Sequence, residues 1–414
     1  MPPAPPANAV KVANENASYG GFYVPSFEIR IKGRGLPRDV LRDVMQMTYK
    51  DNVNAIDSFE LTINNWDAEA RDFKYVGTEG RLRAEDARAK YVGIFDPGDP
   101  EKTVEVWMGY AGKLRMMMTG LITTLEPNFP QSGAPTLAVR GLNVLWQLRG
   151  KQHTDFWPKD GRSDVRDSDI ARDIGEKVDG GQKRFPLPIR INDEARNAEP
   201  PEHYVMQNNQ YDIVFLLTRA RRHDYVVLVE EFEHNGQQQK RLYFGPSEGN
   251  VPEQRNVTYL LEWGKSLIQF KPTLTVANQI GSVTVRGWDR RRKRAIEATV
   301  KRKDIKINQD LSNFDPAFNQ REEIVTARPV YNEAQAKALA GDILKNQLKD
   351  LVKGSGATIG LPDLRAGRKV FINGLGARFS GNYFVTDTTH TIGDNGYQTT
   401  FNARREEEGE ATIA

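Results

Sequence analysis

The chain has five histidines, His153, His203, His223, His234 and His390. No two lie within one helical turn and none sits in H-E-x-x-H, so their spacing builds no local zinc site. Their ordinary reading is as surface or satisfied core side chains. There is no cysteine, which excludes disulfides, thiolate catalysis, Cys-ligated zinc and iron–sulfur clusters. It does not identify a compartment. Carboxylates are plentiful, 55 in 414 residues, but an acid/base pair is recognised by geometry rather than by abundance. The window DGRSDVRDSD, residues 160–169, lacks the Gly turn and closing Glu of a calcium loop, and its acids are expected to cap the helix that follows. No residue is assigned a catalytic, cofactor-binding or metal-binding role, and no cofactor is expected.

Two glycine-rich stretches could cradle phosphate. GSGATIG, residues 354–360, lacks the Gly-Lys-Ser/Thr ending of a phosphate loop, and Ile359 stands at the third glycine position of G-x-G-x-x-G. It is expected to be a helix stop and linker. GLGARFSGNY, residues 374–383, lies between two candidate strands and reads as a hairpin. The densest basic cluster is Arg290, Arg291, Arg292, Lys293 and Arg294. It is the candidate channel or partner contact, set against a solvated loop because no aromatic stacking platform accompanies it. Arg219, Arg221 and Arg222 read as the wet face of a helix. In a strand Met116 and Met118 would share one face and fill a core.

These groups must be placed by elements of two periods. Phe27, Ile29 and Ile31 alternate with charged residues, as do Phe59, Leu61 and Ile63, then Val104, Val106 and Met108, then Leu137 and Val139. Turn signals separate them, so residues 20–148 read as a β-barrel or sandwich. The charged stretch 66–92 reads as a long excursion or a partly helical insertion. In the middle, Asp167 or Ser168 can cap a helix burying Ile170, Ala171, Ile174 and Val178, and 209–225 reads as a second helix. Strands at 226–232 and 241–244 complete an α/β domain over 149–255. Strands return at 258–263, 265–270, 281–288, 368–373, 382–392 and 396–404. A helix interrupts them at about 329–354, with Asn332 and Gln335 at capping-box spacing. It reads as an insertion in, or a packing element across, a second β domain of residues 256–405.

A faint echo links PTLAVRGLNVL (135–145) to SVTVRGWDR (282–290), and VWMGYAGKLRMMMTG (106–120) to VFINGLGARFSGNYF (370–384). Residues 1–19 are a Pro- and Ala-rich arm expected to be flexible, and 406–414 form an acidic tail. The opening MPPAPPANAV has neither part of a secretory signal, and no run approaches the ~18 apolar residues of a membrane helix. Basic and acidic residues nearly balance, 58 against 55. That balance does not mark a chain-wide nucleic-acid binder.

Five segments, in order, resemble the phage late control gene D protein family, the baseplate hub proteins of contractile phage tails and injection systems. The first runs from FEIRIKGRGLP to FELTINNWD, and the second from VEVWMGYAGKL through TGLITTLEPNFP to LAVRGLN. QNNQYDIVFLLTRARRHDY, FKPTLTVANQIGSVTVRGWD and GLPDLRAGRKVFINGLGARFSGNYFVTDTTHTIGDNGYQTTFNARRE follow. The resemblance implies an α+β, β-rich chain with two small β-barrel domains, an α/β domain between them and a helical insertion. It implies a homotrimer whose six barrels form a pseudo-sixfold ring around a channel. Partners would be a separate spike protein, the inner tube protein and other baseplate proteins, with no stable membrane insertion. The particle would be assembled in the bacterial cytoplasm. The function implied is structural and not enzymatic: a hub joining the hexameric tube to the trimeric spike. The alternatives are a tail-associated cell-wall hydrolase and a carbohydrate- or nucleic-acid-binding β protein.

Overall fold

In the computed structural model, Ser58–Asn64 (SFELTIN) alternates as its sequence requires, with Phe59, Leu61 and Ile63 buried between half-exposed neighbours. Residues described are 3–14, 24–78, 80, 82, 86–99, 102–159, 161–185, 187–223, 225–234, 237–246, 257–276, 279–289, 292–305, 321–327, 330–349 and 351–406. The chain is β-rich and built on one large mixed sheet of 14 strands.

The first β unit comprises strands Pro25–Ile31, Arg34–Gly35, Val44–Asn52, Ser58–Asn64, Thr103–Tyr110, Lys113–Asn128 and Thr136–Asn143. The second comprises Tyr259–Glu262, Leu267–Leu274, Val352–Ile359, Lys369–Asn373, Gly381–Gly393 and Gly396–Arg405. They join where Val44–Asn52 pairs antiparallel with Gly381–Gly393. Each unit carries its own buried cluster, one around Met47, Phe59 and Val106, the other around Leu261, Tyr383 and Phe401. Ile392 and Tyr397, at the tip of the last hairpin, cross over to pack in the first.

An α/β unit lies between them in sequence. Helices Asp167–Glu176 and Asp212–Ala220 bury Ile170, Ile174, Ile213 and Leu216 against a three-stranded sheet of Ile189–Ile191, Tyr225–His234 and Gln237–Pro246. Val178 lies outside the first helix and is exposed. The expected helix over 209–225 is shorter, because Val205–Tyr211 is a strand paired with Gln152–Trp157.

Several expectations change. The strand expected at 281–288 does not join the second β unit. Ser282–Asp289, Arg294–Lys301 and Glu322–Val325 form a separate sheet, and helix Glu333–Lys349 packs on it through Ala336, Ala340 and Leu344. The insertion is therefore a small sheet with its covering helix, and the 282–290 echo falls outside both β units. GSGATIG is no linker: Val352–Ile359 is a strand between Leu267–Leu274 and Gly396–Arg405. Its glycines are there because rings lie on them; a Cβ at Gly354 would come within 2.4 Å of Phe270 Cζ, and one at Gly356 within 2.5 Å of Phe401 Cζ. A bulge opposite Val106–Trp107 breaks the methionine alternation, so Met117 and Met118 are the buried pair. The described part of the N-terminal arm is paired rather than loose. Val10–Lys11 adds in parallel to Tyr259–Leu260, and Val12 is buried in the second core, so the arm covers a sheet edge.

Candidate functional site

A network of buried polar groups lies at the seam between the two β units. Asp51 on Val44–Asn52 stands in register with Thr388 on Gly381–Gly393. Arg365 reaches the seam from the connection after Val352–Ile359. Its Nε donates to Asp51 Oδ2 at 2.7 Å, and its terminal nitrogen donates to the Tyr49 hydroxyl and, at 2.9 Å, to the Met117 carbonyl. Its guanidinium lies 4.7 Å over the Tyr49 ring. Asp51 also accepts from the Ala366 and Thr388 amides at 3.1 and 3.2 Å, and from the Thr388 hydroxyl. Burial works against the Arg365 charge, but Tyr49, Asp51 and Asp57 outweigh it and hold the cation firmly protonated.

Asp57 extends the network. It accepts from Asn143 Nδ2 at 3.1 Å and from the Tyr49 hydroxyl at 3.3 Å. Burial, reinforced by the charge of Asp51, pushes its carboxyl up to about 7 despite Arg365. His390 lies fully buried nearby. Its Nε2 donates to the Leu364 carbonyl at 2.9 Å, which leaves Nδ1 to accept from Tyr397 and Thr399 hydroxyls at 2.9 and 3.1 Å. Burial lowers it to about 4. This is the neutral tautomer that such a set of partners requires.

Chemically, the seam is a clamp. Arg365 and Asp51 spend their donors and acceptors on each other and on the two units they join, and both side chains are largely shut from solvent. A second network stabilises the α/β unit. Asp167 accepts from His223 Nε2 at 2.8 Å and from Arg219, whose other arm holds Glu202. Burial opposes ionisation of Asp167, but His223 and Arg219 prevail and lower it. Arg219 is thus an interior cation, whereas Arg221 and Arg222 are exposed as expected. The helix start is capped by Glu199, which accepts from the Ser168 amide at 3.0 Å, and not by Asp167 or Ser168.

The expected basic contact sits on the hairpin between Ser282–Asp289 and Arg294–Lys301. Arg290 and Arg291 lie outside the described residues. Arg292, Lys293 and Arg294 are exposed, and the Arg292 amide donates to Asp289 Oδ1 at 2.9 Å. Nothing brings them to the seam. Among the described residues no group of His, Cys, Asp or Glu is arranged to hold a metal, and no helix is long and apolar enough to cross a membrane.

The seam joins strands from the two ends of a single stretch of sequence, and one family matches that whole stretch. The family described as Alg8 N-terminal domain covers residues 23–394. The chain belongs to that family. No curated protein matches it significantly in sequence. Solved structures similar to this Alg8 N-terminal domain chain include phage tail proteins. A prophage MuSo2 43 kDa tail protein from Shewanella oneidensis is 12% identical with a TM-score of 0.59, over 92% of this chain and 98% of that one. A tail protein from Neisseria meningitidis MC58 is 14% identical with a TM-score of 0.59, over 93% and 97%. An Escherichia coli component of the type VI secretion system, described as similar to the T4 tail proteins gp27 and gp5, is 12% identical with a TM-score of 0.51, over 93% and 79%. The fold is therefore shared with phage tail proteins and a type VI secretion system component, in agreement with the resemblance to the baseplate hub family.

Proposed function

We propose that the chain is the structural hub of a phage-like baseplate or contractile injection system, joining a hexameric inner tube to a trimeric spike. The observation that carries this reading is the fusion of two β units, each with its own core, into one continuous sheet across Val44–Asn52 and Gly381–Gly393. A chain offering two β surfaces lets a homotrimer present six. Threefold and sixfold partners can then meet on one axis. The likeness to tail proteins over nearly the whole chain supports the same role.

In this reading the units are two barrels, residues 20–148 and 256–405, with the α/β unit 149–255 between them. Partners are the tube protein, a spike protein and neighbouring baseplate proteins. The chain works by burying interfaces on the scale of obligate assemblies and performs no catalysis. The exposed cations at 292–294 face the channel or a partner.

Native mass spectrometry of the chain co-expressed with a spike protein, followed by imaging, tests this. A 3:3 complex with a near-sixfold face is expected. A stable monomer that ignores both spike and tube would overturn it.

A further inference from the structure

We propose that the hairpin between Ser282–Asp289 and Arg294–Lys301 binds single-stranded nucleic acid, with Arg292, Lys293 and Arg294 taking phosphates and Trp288 stacking on a base. This rests on the part of the reading above that makes these cations a contact surface, and it names the chemistry of what they meet. It does not depend on the hub assembly itself.

The positive charge of the chain is concentrated here. Residues 286–303 hold nine basic residues and two carboxylates, Asp289 and Glu297, in a chain whose net charge is only +3. The remainder of the chain therefore carries a net negative charge. A local basic surface of this kind attracts polyanions that the rest of the molecule repels. Arginine stands at two of the three exposed positions of the hairpin end, and its planar fork matches phosphate oxygens.

The Gly287-Trp288-Asp289 run places an aromatic ring beside those cations. A Cβ at Gly287 would come within 2.5 Å of Val330 Cγ2, so the strand lies close on its covered side. Trp288 takes the opposite, open face of the sheet and is 58% exposed. Across from it stands Ala295, itself exposed, whose methyl covers little of an indole. Asp289 Oδ1 accepts from the Arg292 amide at 2.9 Å, and Lys293 takes a left-handed φ of 51°. These two features shape the turn, and Arg292, Lys293 and Arg294 are exposed on it next to the Trp288–Ala295 pair. A stacking ring beside a row of cations is the combination that holds a single strand through its bases and its backbone together.

The rest of the open face disfavours an anionic membrane. Arg286 Nε donates to Glu297 Oε2 at 3.0 Å, and the Thr284 hydroxyl donates to Glu322 Oε1 at 2.6 Å. A bilayer lying against Trp288 would bury these carboxylates at a cost. A strand held at the end of the hairpin leaves them in water. An acidic peptide would satisfy the cations but presents no flat π face to Trp288.

The test is fluorescence anisotropy of labelled oligo(dT) titrated with the full chain at several salt concentrations. Saturable binding that weakens as salt rises is expected. R292Q/K293N/R294Q should weaken it about tenfold or more and flatten the log–log salt slope by about two, since each phosphate contact on a single strand contributes about 0.7. Asparagine at 293 tolerates the left-handed backbone. Trp288→Ala should weaken binding about five- to hundredfold with the salt slope unchanged. R34Q/R38Q/K113Q removes three exposed cations from the first β unit and should leave binding unchanged. Equal losses in both triple variants would reduce the effect to general attraction and overturn the proposal. So would parental affinity in Trp288→Ala, hexaglutamate bound as tightly as oligo(dT), or phosphatidylserine vesicles bound without oligo(dT). R292Q/K293N/R294Q should still form the 3:3 complex with the spike, so failure of this inference and failure of the hub reading appear in different measurements. Should the triple variant fail to fold, Arg292→Gln alone reads a smaller loss, with the slope flatter by about 0.7.

Discussion

Arg365 Nε donates to Asp51 Oδ2 across 2.7 Å, and this one bond ties a connecting segment to a strand 314 residues away in sequence. The same guanidinium holds the Tyr49 hydroxyl and the Met117 carbonyl, so a single side chain from the second β unit grips three residues on two strands of the first.

Removing that grip leaves Asp51 buried without its cation. Arg365→Ala should destabilise the chain by about 3–5 kcal/mol, as broken buried pairs do. Arg365→Lys should recover only part of the loss, since an ammonium cannot reproduce the planar fork. Urea unfolding followed by tryptophan fluorescence checks both. A midpoint equal to the parent's in Arg365→Ala would refute the clamp.

Asp57 and His390 pull the pH dependence in opposite directions. Asp57 is raised to about 7 from its ordinary 3.8, so the folded chain holds the extra proton between those values. Its stabilisation is full below about 4 and is lost as pH rises through about 7. His390 is lowered to about 4 from 6.5. Its stabilisation is full above about 6.5 and is lost as pH falls through about 4. Asp57→Asn should therefore gain stability relative to the parent as pH is raised from about 5 to 8. A constant difference in urea midpoint over that range would count against the assignment.

Gly360 is packed beneath an aromatic ring. A Cβ there would lie 2.0 Å from Tyr397 Cγ, and the Gly360 carbonyl accepts from the Tyr110 hydroxyl at 2.8 Å. Gly360→Ala should cost about 1–3 kcal/mol by overpacking. Gly396→Ala tests a different cause, because Gly396 is open around its Cα but has φ +88°. A thermal shift absent in Gly360→Ala would mean that the Tyr397 ring moves aside freely.

At the start of helix Glu333–Lys349, Asn332 Oδ1 accepts from the Gln335 amide at 2.8 Å, while Gln335 Oε1 accepts from the Tyr331 amide at 3.0 Å. Asn332→Ala should cost about 1 kcal/mol, and Asn332→Asp should restore most of it. Equal stability of Asn332→Ala and the parent would show that the cap contributes nothing.

Alternation made much of the sheet legible. Ser58–Asn64, Thr103–Tyr110 and Thr136–Asn143 bury every second residue, and their sequences say so. The echo between 106–120 and 370–384 corresponds to real strand–turn–strand units, the second with a short helical turn at Gly376–Phe379. Val44–Asn52 was hidden because its burial does not alternate and a bulge interrupts its pairing. Val352–Ile359 was hidden because its glycines, placed to admit Phe270 and Phe401, look like a linker in one dimension. Arg365 carried no local mark: it is one of 58 lysines and arginines, and only long-range pairing gives it Asp51.

The continuity of the sheet has a kinetic side. Strand Val44–Asn52 gains its neighbour Gly381–Gly393 only after roughly 340 more residues are made, a delay on the order of 20–70 s at bacterial synthesis rates of roughly 5–20 residues per second. Through that interval the nascent first unit presents an unpaired strand edge. A ribosome-bound chain that stalls before residue 381 would expose a template for pairing with its siblings, so the pace of translation and the holdase chaperones met on the way should govern how much of this protein escapes aggregation.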